Sequence, residues 1–137
     1  MLARRDFASG ELRERLTARG FEAAAAAEAL AALMAHGELC DERFAQNYVA
    51  YHAGRGHGPI RIAAELRARG VAQPLIEAAL ADGPDWRAVA GTVRARRFGK
   101  AAPPSWKERA RQARFLQYRG FSADHIRAAT GADPDTD

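Results

Sequence analysis

The chain of 137 residues predicts an all-α protein made of tandem three-helix repeats stacked into an elongated, curved array. Three observations carry that expectation. One word recurs: Leu16-Thr17-Ala18-Arg19-Gly20-Phe21, Leu66-Arg67-Ala68-Arg69-Gly70-Val71 and Leu116-Gln117-Tyr118-Arg119-Gly120-Phe121 stand fifty residues apart. In each, the Gly takes the left-handed turn just past a helix, and the apolar residue after it folds back on the Leu. Apolar residues elsewhere recur at helical spacing, and no segment alternates as a strand would. Self-similarity at constant spacing marks units that bury their faces on one another.

The elements follow in order. Ser9 N-caps a helix that carries Leu12 and Leu16 and ends at Gly20. An Ala-rich helix spans about 22–35, with Leu30, Leu33 and Met34 for packing. Asp41 opens the next, with Phe44, Tyr48 and Tyr51 on one face, and Gly54-Arg55-Gly56-His57-Gly58 breaks it. Pro59 suits a first helical turn. Ile62 and Leu66 line that helix, and Gly70 stops it. Pro74 starts a helix with Ile76 and Leu80, closed by Asp82-Gly83-Pro84. Asp85 opens one with Trp86, Val89, Ala90 and Val93, ending near Phe98-Gly99. Ser105 and Glu108 read as a capping box for a helix that runs to Arg119. Ser122 caps a last helix with Ile126, ended by Gly131.

These helices group into repeat one at 1–36, truncated because its first helix is mostly missing, repeat two at 37–83 and repeat three at 84–131, with a polar tail at 132–137. Shifting by fifty aligns Ala26, Ile76 and Ile126. Leu12 matches Ile62, though Gln112 breaks the series, and Leu30 matches Leu80, with Thr130 the weak member.

The net charge of +4 is uneven. Residues 1–50 carry six Lys/Arg against eight Asp/Glu, whereas residues 51–100 carry nine against four. An anionic partner is the implied counterpart. Two basic segments stand out: Arg55, His57, Arg61, Arg67 and Arg69 around a glycine hinge, and Arg94, Arg96, Arg97, Lys100, Lys107, Arg111 and Arg114 across two helices. Arg94 and Arg97 share a helical face, as do Lys107, Arg111 and Arg114. Such faces suit phosphates or acidic protein surfaces and offer no base-reading arrangement. No nucleophile, base and stabiliser converge, so no catalytic residues are expected. His36, His52, His57 and His125 are scattered without metal-ligand spacing, so neither a metal nor a cofactor is expected. Cys40 is the single cysteine, which excludes an intrachain disulfide and fits a cytoplasmic setting. No apolar run is long enough for a membrane span.

Gly37-Glu38-Leu39-Cys40-Asp41-Glu42-Arg43-Phe44-Ala45, Gly56-His57-Gly58-Pro59-Ile60-Arg61-Ile62 with Glu65-Leu66, and Arg96-Arg97-Phe98-Gly99 resemble motifs of the RecX family, regulators of the RecA recombinase. Arg114–Gly120 with Phe121 extends the likeness. Two residues depart from the family's pattern: His57 replaces its usual Tyr, and Cys40 its usual first Asp. The resemblance implies three tandem three-helix repeats and a monomeric regulator without catalysis. Such proteins bind in the groove of the RecA–DNA filament, suppress ATP hydrolysis, strand exchange and coprotease activity, and can bind single-stranded DNA. The alternative reading is a general nucleic-acid-binding helical module.

Overall fold

The computed structural model describes residues 40–134, together with Gly10, Glu28, Ala31 and Ala32. The expected helices over 9–20 and 22–35, and the truncation of repeat one, lie outside the described residues. Within 40–134 the chain forms α1 (Asp41–Gly54), α2 (Pro59–Ala68), α3 (Gln73–Ala81), α4 (Trp86–Phe98), α5 (Trp106–Tyr118) and α6 (Ala123–Thr130). No strand occurs among the described residues.

The helix boundaries follow local chemistry. Cys40 is the N-cap of α1, and its Sγ accepts from Arg43 N–H at 3.5 Å, a long bond that an Asp carboxylate at this position would strengthen. Asp85 caps α4 by accepting from the N–H groups of Arg87 and Ala88. Ser105 and Ser122 cap α5 and α6 through their hydroxyls. The expected capping box at Ser105 is only half made. The Glu108 carboxylate turns forward to Arg111 and Gln112, where a guanidinium and an amide offer more donors than one backbone N–H.

The recurring word is a Schellman cap in both described copies. Val71 N–H donates to Leu66 O at 3.1 Å and Gly70 N–H to Arg67 O at 3.0 Å. Phe121 and Gly120 repeat the pattern onto Leu116 and Gln117. Gly70 and Gly120 have φ of 84° and 95°.

Helices α1–α3 pack as one bundle and α4–α6 as a second. Phe44, Val49, Ile62, Leu66, Val71 and Ile76 fill the first core. Leu116, Phe121 and Ile126, with Ala90 and Ala113, fill the second. Each fully buried Leu or Ile contributes about 1.5–3 kcal/mol. Tyr51 departs from the expected face of α1: it is 61% exposed, and Val49 takes the inward position instead. Trp86 packs against both cores while its Nε1–H donates to Leu80 O at 3.3 Å, so it pins the start of the second bundle to the end of the first.

A second joint is made of backbone. Gly58 has no side chain to cap α2. The N–H of Gly58 instead donates to Arg119 O at 2.7 Å, and that of Ile60 to Gly120 O at 2.9 Å. Pro59 between them has no N–H to satisfy. The orphan donors at the start of α2 therefore meet carbonyls just past the end of α5, with opposite helix-dipole ends together. The approach is close enough that a Cβ at Gly58 would collide with the Gly120 carbonyl, and one at Gly120 with Arg61. A second close approach of glycines is present, where a Cβ at Gly10 would lie 2.7 Å from Gly70 Cα.

Glycine substitutions should therefore differ in sign. Gly120→Ala combines positive φ with a backbone collision and should lower stability by about 2 kcal/mol or more. Gly91→Ala, inside α4 with open space around its missing Cβ, should raise it by about 0.5–1 kcal/mol. Denaturant melts of the two variants check both.

Candidate functional site

The basic residues sort into distinct environments. Arg55 is the C-cap residue of α1 and Arg69 that of α2. The Arg55 guanidinium lies over the Tyr51 ring at 5.7 Å and donates to its hydroxyl at 3.3 Å, while Arg69 lies over the Tyr48 ring at 5.3 Å. Arg61 approaches Glu65 at 3.9 Å, and Arg67 donates to Gln73 at 2.9 Å. Arg111 forks onto Glu108, with its shortest bond 2.7 Å; this pair holds the Glu108 carboxyl below its ordinary range. Lys100, Lys107 and Arg114 are exposed.

Arg94 does not belong on that open face. It is 9% exposed, and its Nη1 donates to Gln112 Oε1 at 3.2 Å and to Ala101 O at 3.3 Å. Gln112, which broke the repeat's apolar series, is itself buried. A buried amide needs a partner, and Arg94 supplies it while tying α4 to α5 and the connector. The shared helical face with Arg97 is not realised, because α4 turns Arg94 inward and leaves Arg97 at the surface.

The structure brings together four arginines from both bundles. Arg55, Arg96, Arg97 and Arg119 line a cleft of about 440 Å³ with Gly54, Gly56, Val93 and Phe115. Arg97 and Arg119 both lie on the Phe115 ring, at 5.6 and 5.2 Å. Phe115 in turn meets Phe98 edge-on, and Arg111 covers Phe98 at 5.0 Å. Aromatic faces hold these guanidinium planes while leaving their N–H forks to bind anions. Among the described residues no carboxylate pairs with Arg96, Arg97 or Arg119. Arg119 is not among the basic residues expected from sequence, although its place in the recurring word puts it at the negative end of α5. A larger cleft of about 610 Å³ between α1, α3 and the start of α4 is mainly apolar.

The glycine hinge also brings two histidines together. His57 N–H donates to His52 O and Gly56 N–H to Ala53 O, both at 3.0 Å, so α1 also ends in a Schellman cap. The apolar contact of such a cap is replaced by a histidine pair, with Nδ1 atoms 3.1 Å apart. The signal was present as two His five apart with Gly before the second. Burial lowers both ring pKa values, and Arg61 adds to this at His57. Burial also lowers that of His125, whose Nδ1 is enclosed without a hydrogen-bond partner. Among the described residues, no helix is long and apolar enough to cross a membrane.

Comparison with known proteins gives a consistent result. Residues 41–80 match the family model for the second three-helix domain of RecX, and 88–130 that for the third. The chain is 46% identical over all its residues to regulatory protein RecX of Halorhodospira halophila, covering 86% of that protein. It is 43% identical to regulatory protein RecX of Stenotrophomonas maltophilia, over 98% of this chain and 83% of that one. The crystal structure of RecX from Lactobacillus salivarius superposes with a TM-score of 0.80 at 21% identity, covering 93% of this chain and 86% of that one.

Two measurements check the site's construction. Arg94→Ala should cost about 2 kcal/mol or more by stranding Gln112, whereas exposed Arg96→Ala should leave the melt within about 0.5 kcal/mol of the parent. Acidification should also destabilise the fold. The unfolded chain takes up protons at its histidines from about pH 6.5, before the half-buried rings of the folded chain do. Stability held at neutral pH is then lost as pH falls through the lower folded values, so Tm should be lower at about pH 5.5 than at about pH 7.5.

Proposed function

The chain belongs to the RecX family, and on that premise we propose that it regulates the RecA recombinase by binding the RecA–DNA filament and restraining its activity. The observation that carries this reading is the 46% identity, over the whole of this chain, to a regulatory protein RecX. The described geometry supports it. The cleft draws Arg55 from the first bundle and Arg96, Arg97 and Arg119 from the second, so it exists only when successive repeats are stacked. Guanidinium groups of this kind pair with carboxylates and phosphates alike, and a nucleoprotein filament presents both. The protein acts by occupancy: it slows ATP hydrolysis, strand exchange and coprotease activity through contacts and not through chemistry of its own. Several modest contacts along one filament reinforce one another through effective concentration. Tyr118, 85% exposed beside Arg119, and Trp106, 60% exposed at the start of α5, add apolar surface near the basic groups.

The test adds the protein to RecA on single-stranded DNA and follows ATP hydrolysis and strand exchange. Inhibition at stoichiometric levels is expected, and unchanged rates overturn the reading. Equal affinity for bare and RecA-coated strands, falling steeply with salt, would instead indicate a general nucleic-acid-binding module. The triple variant Arg55→Glu, Arg96→Glu, Arg97→Glu should weaken filament binding about tenfold or more while melting like the parent.

A further inference from the structure

The histidine pair at the hinge lies beside a third polar group. Glu65 projects from α2 so that one ligand atom each from His52, His57 and Glu65 falls within 4.8 Å of the others. The Glu65 Oε1 atom is shielded from water and has no hydrogen-bond partner. We propose that His52, His57 and Glu65 form a binding site for one divalent transition-metal ion of the zinc class.

The spacing and donor set support this. Tetrahedral zinc with bonds of about 2.0–2.1 Å holds neighbouring ligand atoms roughly 3.3 Å apart. The two Nδ1 atoms, 3.1 Å apart, already stand near that separation. Without metal, the same spacing is a shared hydrogen bond, with one ring protonated at Nδ1 and the other at Nε2. Metal binding moves the first ring's proton to Nε2 and leaves both Nδ1 lone pairs for the ion, with no net proton released from neutral rings. The unpartnered carboxylate oxygen supplies the third ligand, and water completes the set, as in open zinc sites. Two imidazoles and one carboxylate favour Zn²⁺, Co²⁺ or Ni²⁺ over Mg²⁺ and Ca²⁺.

The surroundings set the strength. Arg61, 3.9 Å from Glu65 Oε2, orients the carboxylate, and the Tyr48 ring lies 4.1 Å from that of His52. The charges of Arg55, Arg61, Arg69 and Arg119 act on the two histidines and repel a bound cation, so the site binds more weakly than a closed structural zinc centre. His57 directly precedes Gly58, whose N–H reaches Arg119 across the repeat joint. A bound ion would brace that joint.

The test titrates the full-length, tag-free protein with Co²⁺. One equivalent should produce the visible bands of tetrahedral cobalt, and Zn²⁺ should displace it. At roughly a hundredfold excess over Kd, Zn²⁺ should raise Tm by about 5–10 °C. His57→Tyr, which restores the residue usual in the family motif and should fold, should lose both the bands and the shift. Glu65→Gln should weaken binding about tenfold, and Cys40→Ser should leave it intact. Absence of a stoichiometric cobalt spectrum, survival of binding in His57→Tyr, or its loss in Cys40→Ser would each overturn the proposal.

Discussion

The arrangement depends on a backbone joint between repeats. The start of α2 carries donors with no side-chain cap, and the turn after α5 carries acceptors that would otherwise face solvent. Each end completes the other, and their dipoles align. Only glycine permits the approach at Gly58 and Gly120. Gly10 and Gly70 also approach each other closely, so a side chain at Gly10 would collide there too. The arginine cleft is a product of the joint, because its walls come from the end of α1 on one side and from α4 and α5 on the other.

The many arginines divide by neighbour. Arg94 is consumed by Gln112 and the connector carbonyl, so its charge serves the second bundle. Arg111 and Arg61 face carboxylates, and surface pairs of that kind contribute little to stability. Arg97 and Arg119 rest on Phe115, which fixes their planes without using their hydrogen-bonding capacity. A count of positive residues therefore overstates the surface available to a partner, and the inventory of neighbours locates it.

Helix ends were the most legible part of the sequence. Gly70, Gly120 and Gly131 lie past helix ends at positive φ, and Asp85, Ser105 and Ser122 cap as their residue types suggest. These signals are local, so a single sequence carries them. Packing was less legible. The direction of Arg94 and the exposure of Tyr51 depend on how a helix is rolled against its neighbours, which spacing alone leaves open. The cleft was legible only as a surplus of charge, since Arg55 and Arg119 meet through a contact distant in sequence. The histidine pair was hidden for a different reason: the fold-back contact of a Schellman cap is usually apolar, and here two imidazoles occupy it.

The glycine joint also bears on the order in which the chain acquires its shape. Each three-helix bundle is held by contacts among neighbours in sequence, which form quickly. The bond from Gly58 to Arg119 closes a long loop and requires both helices to be in place first. The joint therefore carries the larger entropic cost of closure, and the arginine cleft, whose walls come from both bundles, exists only once that cost is met.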